Sequence, residues 1–295
     1  MFENLFSIGG LSIDRLKSFI DVAEVGSIAR VADGDPSRQS LISRQISELE
    51  SFFGVELTKR KGKGLEFTEA GRELARQVRL QFQGLSDFKA SCVGQPVGFR
   101  IASGNSVLEW LLAPQMGRAS AAVPGTYSLL DWRTGDIVRG LLEHTVDFGI
   151  IRRSALVHPL KFYSLGEVRY RLFVPKVEGE RKDPTELPLA ISIGGEFLEA
   201  FEQATAKLRK RLNIVFRCTS FTQAAQMVRS GVAAAILPHI AGAYFDKQVG
   251  VHDPLWLRPI KRELGLAWHR RVLDVRPGSE RLKDTLIELL AKGLA

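Results

Sequence analysis

The chain has 295 residues, 45% hydrophobic and 25% charged, with a formal net charge of +8. That length suggests about two domains of ordinary size, and the apolar content excludes wholesale disorder. No apolar run approaches the roughly 20 residues needed to span a bilayer, and two cysteines, Cys92 and Cys218, are too few and too far apart for a disulfide framework or a zinc site.

The charge is unevenly placed. Residues 1–94 hold 13 Lys+Arg against 13 Asp+Glu, whereas residues 95–295 hold 28 against 20. Bulk charge therefore does not argue for nucleic-acid binding by the N-terminal part, and local arrangement must carry that case. Met1 to Gly10 lacks the basic segment, apolar stretch and cleavage site of a secretory leader. A cytoplasmic protein with reduced, packed cysteines is expected.

From Leu11, residues Leu16, Phe19, Ile20 and Ala23 recur at helical spacing, with Ser12 or Asp14 as cap and Gly26 as terminator. Ser27 opens a short second helix whose inward residues are Ile28, Val31 and Ala32. Asp33-Gly34-Asp35-Pro36 is a turn in which Asp35 caps a third helix with Pro36 at its first position. That helix runs through Ser37 to Phe53 and buries Ile42, Ile46, Leu49 and Phe53. Its other face presents Arg38, Gln39, Ser40, Ser43, Arg44 and Ser47. Such side chains pair with base edges in a major groove, and Glu48 and Glu50 fall at the far end. Plain solvation produces a similar face.

The next segment favours DNA. Val55 to Thr58 and Leu65 to Thr68 have strand character, and Lys59-Arg60-Lys61-Gly62-Lys63-Gly64 between them is a basic turn. A hairpin of this kind sets positive charge on phosphates beside the groove. Gly62-Lys63-Gly64 is not a dinucleotide loop, because Phe67 stands at the third glycine position and no strand–loop–helix follows. The DNA-contact candidates are Ser27, Arg38, Gln39, Ser40, Ser43, Arg44, Lys59, Arg60, Lys61 and Lys63.

Three blocks, Phe19 to Ile28, Ser43 to Leu57 and Leu65 to Gly71, resemble in order and spacing the LysR-type transcriptional regulators. The stretch Asp33-Gly34-Asp35-Pro36-Ser37-Arg38-Gln39-Ser40 departs from the Ser-Gln-Pro-like start that the family's recognition helix usually has. The resemblance implies an all-α winged helix-turn-helix, a pairing helix and a two-lobed α/β effector domain built like a periplasmic solute-binding protein.

Thr68 caps the connecting helix, which runs from Glu69 to about Val93. Leu74, Val78, Phe82, Leu85 and Phe88 form one stripe on it. A long helix between domains has little local core to cover such a stripe, so a homodimer contact is expected. The alternative is packing on its own domain. Gly94-Gln95-Pro96 marks a hinge.

Residues 97–295 alternate strand and helix. Strands are expected at Phe99–Ala102, Tyr127–Asp131 and Val146–Ile151, with a crossing strand at Tyr170–Val174. A second unit follows, with strands at Leu189–Ile193, Ile214–Arg217 and Ala233–Leu237 and a return at Leu264–Trp268. Two β-α-β-α-β units imply two open, mainly parallel sheets. The division is 1–67 for DNA binding, 68–94 for the dimerisation helix and 95–295 for effector binding. Lobe I comprises 97–168 and 266–295, and lobe II 169–265.

Ligands of such sheets sit beyond the carboxyl ends of strands. Ser103, Gly104, Asn105, Ser106, Trp132 and Thr134 occupy those places in lobe I, and Gly194, Thr219, Ser220 and Phe221 in lobe II. Each cluster is equally a helix cap when taken singly, but four facing one cleft make a binding site. Helix N-termini and the local positive charge favour an anionic effector. No metal-ligand spacing, nucleophile elbow or phosphate loop is present, so neither cofactor nor metal is expected and the chain does not read as an enzyme. Lys207, Arg209, Lys210 and Arg211 read as a solvated helix face. The expected partners are double-stranded DNA, a small effector and further copies of the chain as a homodimer or homotetramer, with no membrane. The rival is a solute-binding or enzyme-like module with an N-terminal oligomerisation arm.

Overall fold

A computed structural model describes residues 5, 9–61, 64–175, 187–194, 196–206, 208, 212–245 and 249–294. It divides into two units, Met1–Val93 and Gly94–Ala295.

In the first unit, α1 (Ile13–Val25) is capped by Ser12, which accepts from Arg15 N, and ends at Gly26 in the left-handed region. Ser27 caps α2 (Ile28–Val31), and Asp35 caps α3 (Pro36–Phe53) by accepting from the backbone N–H of Ser37 and Arg38. Gly54, at φ 67°, stops α3. Phe19, Val22, Ile42, Ile46, Leu49 and Leu57 form the core. Phe53 lies outside it as an exposed residue, its ring edge-on to Phe52 at 5.0 Å.

The hairpin pairs β1 (Thr58–Lys61) with β2 (Gly64–Phe67), in register Thr58 to Phe67 and Lys61 to Gly64. The expected first strand, Val55–Thr58, is thus displaced toward the basic residues, and Lys59, Arg60 and Lys61 are strand, not turn. The cause is Glu50, whose Oε1 accepts from Leu57 N at 2.9 Å, Thr58 N at 3.0 Å and Thr58 Oγ1 at 3.1 Å. This carboxylate holds the approach to the hairpin against α3 and leaves strand pairing to begin at Thr58. The following helix, α4 (Glu69–Cys92), is capped by Thr68. Its first turn lies so close to Leu57 that a Cβ at Gly71 would stand 2.0 Å from the Leu57 carbonyl oxygen. Only glycine fits there.

Among the described residues of the second unit, nine strands form one sheet in the order β4-β3-β5-β11-β6-β9-β7-β8, with β10 beside β6. In the first lobe, β3 (Gly98–Ser103) lies parallel between β4 (Thr126–Asp131) and β5 (Phe148–Arg152). The chain after β3 is a broken helix: α5 (Asn105–Val107), a π turn over Leu108–Leu112, a 3-10 turn over Ala113–Gln115 and α6 (Met116–Ala122). Pro114 within the 3-10 turn has no backbone N–H for a continuous ladder. Helix α7 (Thr134–Leu142) connects β4 to β5.

The expected crossing strand is longer than its sequence pattern. β6 (Lys161–Pro175) runs 15 residues, pairing antiparallel with β11 (Lys261–Trp268) and then with β9 (Ala234–Pro238). β6 therefore belongs to both lobes, and the two separate sheets of the sequence reading are joined through antiparallel strands. In the second lobe, β7 (Leu189–Ser192) is parallel to β8 (Ile214–Cys218) and β9, with α8 (Glu196–Thr205) and α9 (Phe221–Arg229) between them. β10 (Val249–His252) pairs with the far end of β6.

The C-terminal helices α10 (Arg270–Val275) and α11 (Ser279–Leu294) return to the first lobe. Arg276 Nη1 meets Asp147 Oδ1 at 2.5 Å, both side chains nearly fully buried. Asp147 Oδ2 accepts from Arg100 N at 2.7 Å, and Arg276 lies 5.3 Å over the Phe99 ring. The charge is thereby both paired and hydrogen-bonded, the condition under which burial is tolerated.

Candidate DNA-contact and effector-binding sites

The exposed face of α3 carries Arg38, Ser40, Ser43 and Arg44, with Gln39 half-buried beside them. Three of these already have partners. Ser40 Oγ donates to the Pro36 carbonyl at 2.9 Å, and Arg44 Nε binds Glu48 Oε1 at 2.9 Å. Arg38 Nη1 lies 3.5 Å from Asp33 Oδ2. Glu48 also receives Arg15 Nε at 2.5 Å. Hydrogen bonds from Arg15 and then Arg44 hold its carboxyl below the usual carboxylate range. Sequence reading left Glu48 at the far end of the helix. Helical spacing of four instead brings it back onto Arg44.

Ser27 is occupied as the cap of α2. Lys59 is exposed on β1. Arg60 and Lys61 belong to the same strand, and Lys63 lies outside the described residues. The run Lys207, Arg209, Lys210 and Arg211 also lies outside them.

In the second unit, the carboxyl ends of β3 and β8 meet. Asn105 Nδ2 donates to Glu109 Oε1 at 3.2 Å and Asp131 Oδ2 at 3.1 Å, while Asn105 Oδ1 accepts from Thr222 Oγ1 at 2.5 Å. Thr222 shares a 2.8 Å hydrogen bond with Ser220. Ser220 caps α9 by accepting from Gln223 N, and Gln223 Oε1 takes both the N–H and the hydroxyl of Thr219. Asn105, Ser220 and Thr219 are thus gathered around one contact.

Other expected ligand contacts are placed differently. Ser103 is fully buried, and its carbonyl accepts from Trp132 N at 3.0 Å. Gly104 caps α5, and Ser106 is half-buried within it. Trp132 turns away from the strand end onto α7, where a Cβ at Gly140 would meet its ring at 2.8 Å. There it lines a 250 Å³ recess with Asp136, Arg139 and Glu143. Thr134 is the first residue of α7. Gly194 is exposed near the Thr219 carbonyl. Phe221 packs on Tyr170 at 5.6 Å and Phe197 at 5.0 Å, so its ring is largely core.

A second link between the lobes was not foreseen. Arg152, the last residue of β5, reaches Glu196 Oε2 at 2.8 Å at the start of α8. Arg262 Nε stands 3.4 Å from the same oxygen. The rule used for Ser103 and Thr219, that functional groups follow strand ends, applies equally to Arg152.

Residues 98–290 match the family model described as the LysR substrate binding domain. Residues 13–72 match that of the bacterial regulatory helix-turn-helix protein, lysR family. The chain belongs to the LysR family of transcriptional regulators.

The probable HTH-type transcriptional regulator LrrA from Synechococcus elongatus is 25% identical over 280 residues, covering 90% of this chain and 93% of that protein. Full-length LysG of Corynebacterium glutamicum, solved with bound effector arginine, matches at TM-score 0.67 and 18% identity over 96% of this chain and 99% of that one. Vibrio fischeri DarR, solved in complex with DNA, matches at TM-score 0.57 and 18% identity over 95% and 99%. The chain therefore has the LysR fold, a winged helix-turn-helix followed by an α/β effector domain.

The apolar stripe on α4 of this LysR regulator divides in two. Val78 is 6% exposed, and Leu74 and Phe82 pack with it on the core formed by Phe19 and Leu49. Those three residues belong to their own unit, which corrects the expectation that the whole stripe faces a second copy. Leu85 and Phe88 remain 58% and 65% exposed. The reason is that α1 lies against the first half of α4 and supplies the local core that the sequence did not reveal. Cys92 is exposed, contrary to expectation, while Cys218 is buried and its thiol is pushed up by that burial. Among the described residues no helix is long and apolar enough to cross a membrane, and no group of three or more His, Cys, Asp or Glu is placed to hold a metal.

Proposed function

We propose that this LysR-type regulator reads promoter DNA with α3 and the β1–β2 hairpin and responds to a small anionic effector held where the two lobes meet. Gln39, Ser43 and Arg44 contact base edges, while Lys59, Arg60, Lys61 and Lys63 contact phosphates. The observation that carries the effector half is the Thr222–Asn105 hydrogen bond across the strand ends. A ligand there changes the relation of the lobes, and through it how DNA is held. Residues 1–67 serve DNA binding and 95–295 serve the effector. Within 68–94, Leu85 and Phe88 serve pairing with a second copy. The protein acts in the cytoplasm and catalyses no reaction. LysG with its arginine and DarR with its DNA support both halves of this reading by likeness of fold.

The test has two arms on the purified full chain. Mobility shifts with its own upstream DNA and with a random duplex, at several salt concentrations, should show a specific complex and a steep salt slope. A thermal-shift screen of anionic metabolites should raise the melting temperature with a ligand that binds the folded state alone. Equal affinity for both duplexes would overturn the DNA reading.

A further inference from the structure

Across the lobe junction, one carboxylate is shared by two arginines. Arg152 ends β5, and Arg262 lies near the start of β11, whose Leu264 is the register partner of Arg152. Both guanidinium groups therefore stand at the same strand end and face α8, Arg152 from the first lobe. Glu196, the first residue of α8, answers both with one oxygen, at 2.8 Å from Arg152 and 3.4 Å from Arg262. Ser154 Oγ lies 3.3 Å from the other oxygen. The three groups sum to one positive charge. Arg152 Nε is buried and has no hydrogen-bond partner among the described residues. A guanidinium offers five donors in a planar fork suited to bidentate carboxylates, and Glu196 leaves this donor unused.

We propose that Arg152 and Arg262 form an oxyanion subsite and that Glu196 is its built-in occupant, which the carboxylate of an effector must displace. This rests on the proposed effector site between the lobes. Arg262 Nη2 also donates to the Glu196 backbone carbonyl at 2.7 Å. That bond keeps α8 in place when the carboxylate swings out, so displacement vacates the subsite without dismantling it. Tyr170 lies beside these groups and packs with Phe197 and Phe221 in the core of the second lobe. Tyr170 feels all three charged groups, and burial, the dominant influence, pushes its hydroxyl up to about 12. The paired arginine forks therefore suit the carboxylate of a small ligand. Apparent affinity for such a ligand is reduced by the fraction of molecules in which Glu196 occupies the arginines.

Benzoate is the probe and benzamide its uncharged control, titrated calorimetrically into the full-length protein. Glu196→Gln keeps shape and removes the competing charge. It should bind benzoate at least about tenfold more tightly than the parent, with no gain for benzamide. Adding Arg152→Met to Glu196→Gln should remove the gain. Glu196→Ala should repeat it if the glutamine variant folds poorly by circular dichroism. Equal benzoate affinity in parent and Glu196→Gln, including no binding in either, overturns the proposal. If that equal affinity is measurable and still falls on Phe221→Ala, the effector site between the lobes stands and only the occupant role fails. If neither Arg152→Met nor Phe221→Ala alters measurable binding, the effector-site reading fails with it.

Discussion

Thr222 donates to Asn105 at 2.5 Å across 117 residues of sequence, joining the helix that follows β8 to the helix that follows β3. Asn105 is in turn held by Glu109 and Asp131, and Thr222 by Ser220. Each partner therefore arrives oriented. Thr222→Val and Asn105→Ala should each destabilise the second unit, and a double-mutant cycle by urea unfolding should return a coupling of about 1 kcal/mol. Strict additivity would mean that the contact contributes nothing to holding the lobes together.

Glu48 draws Arg15 and Arg44 onto one carboxylate beside the proposed DNA face. Its folded value lies below the ordinary 4.5. The stabilisation is therefore present above pH 4.5 and is lost as pH falls through the lower, folded value. Glu48→Gln should abolish that part of the acid-side fall in stability while releasing Arg44, so that affinity rises more for the specific duplex than for a random one. A pH series of melting temperatures checks the first effect and mobility shifts the second. An unchanged acid limb would show that the two ion pairs persist in the unfolded reference.

Lys59, Arg60 and Lys61 occupy a strand rather than a turn tip. Changing all three to Ala should weaken binding to specific and random DNA alike and reduce the salt slope by about one per lost phosphate contact. Gln39→Ala should instead relax preference at one base pair. A sequence-independent loss from Gln39→Ala would reassign that residue to the phosphates.

The stripe on α4 predicts two opposite outcomes. Val78→Asp places an unpaired charge in the core shared with Phe19 and should cost about 3 kcal/mol or more in folding stability. Leu85→Asp with Phe88→Asp alters exposed positions, leaves the melting curve nearly unchanged and should give monomers by analytical ultracentrifugation. Retention of the dimer would move pairing to another surface.

Arg276→Met leaves Asp147 buried without its cation. Loss of one partner of such a pair costs about 3–5 kcal/mol, so the melting temperature should drop sharply. Replacing both residues by apolar ones should restore most of it. A mild effect of the single change would mean that water reaches Asp147.

The helices of the first unit were legible because their determinants are local. Ser12, Ser27, Asp35 and Thr68 cap their own helices, Gly26 and Gly54 adopt the left-handed turn that ends one, and the apolar residues of α3 recur at its period. The blocks that resemble LysR regulators lie in this same local code. Tertiary structure decided what each exposed-looking group faces. Val78 and Leu85 belong to one periodic stripe, yet one is core and the other surface, because α1 covers only the first half of α4. Glu50 chose where the hairpin begins, and Gly140 received the Trp132 ring that its strand-end position had assigned to a ligand. Arg152 and Arg262 are brought to one carboxylate by the pairing of β5 with β11 and by the meeting of two lobes. Helical period and capping act over three or four residues and can be read along the chain. Charge pairing and burial depend on distance in space, which strand order sets and sequence spacing does not.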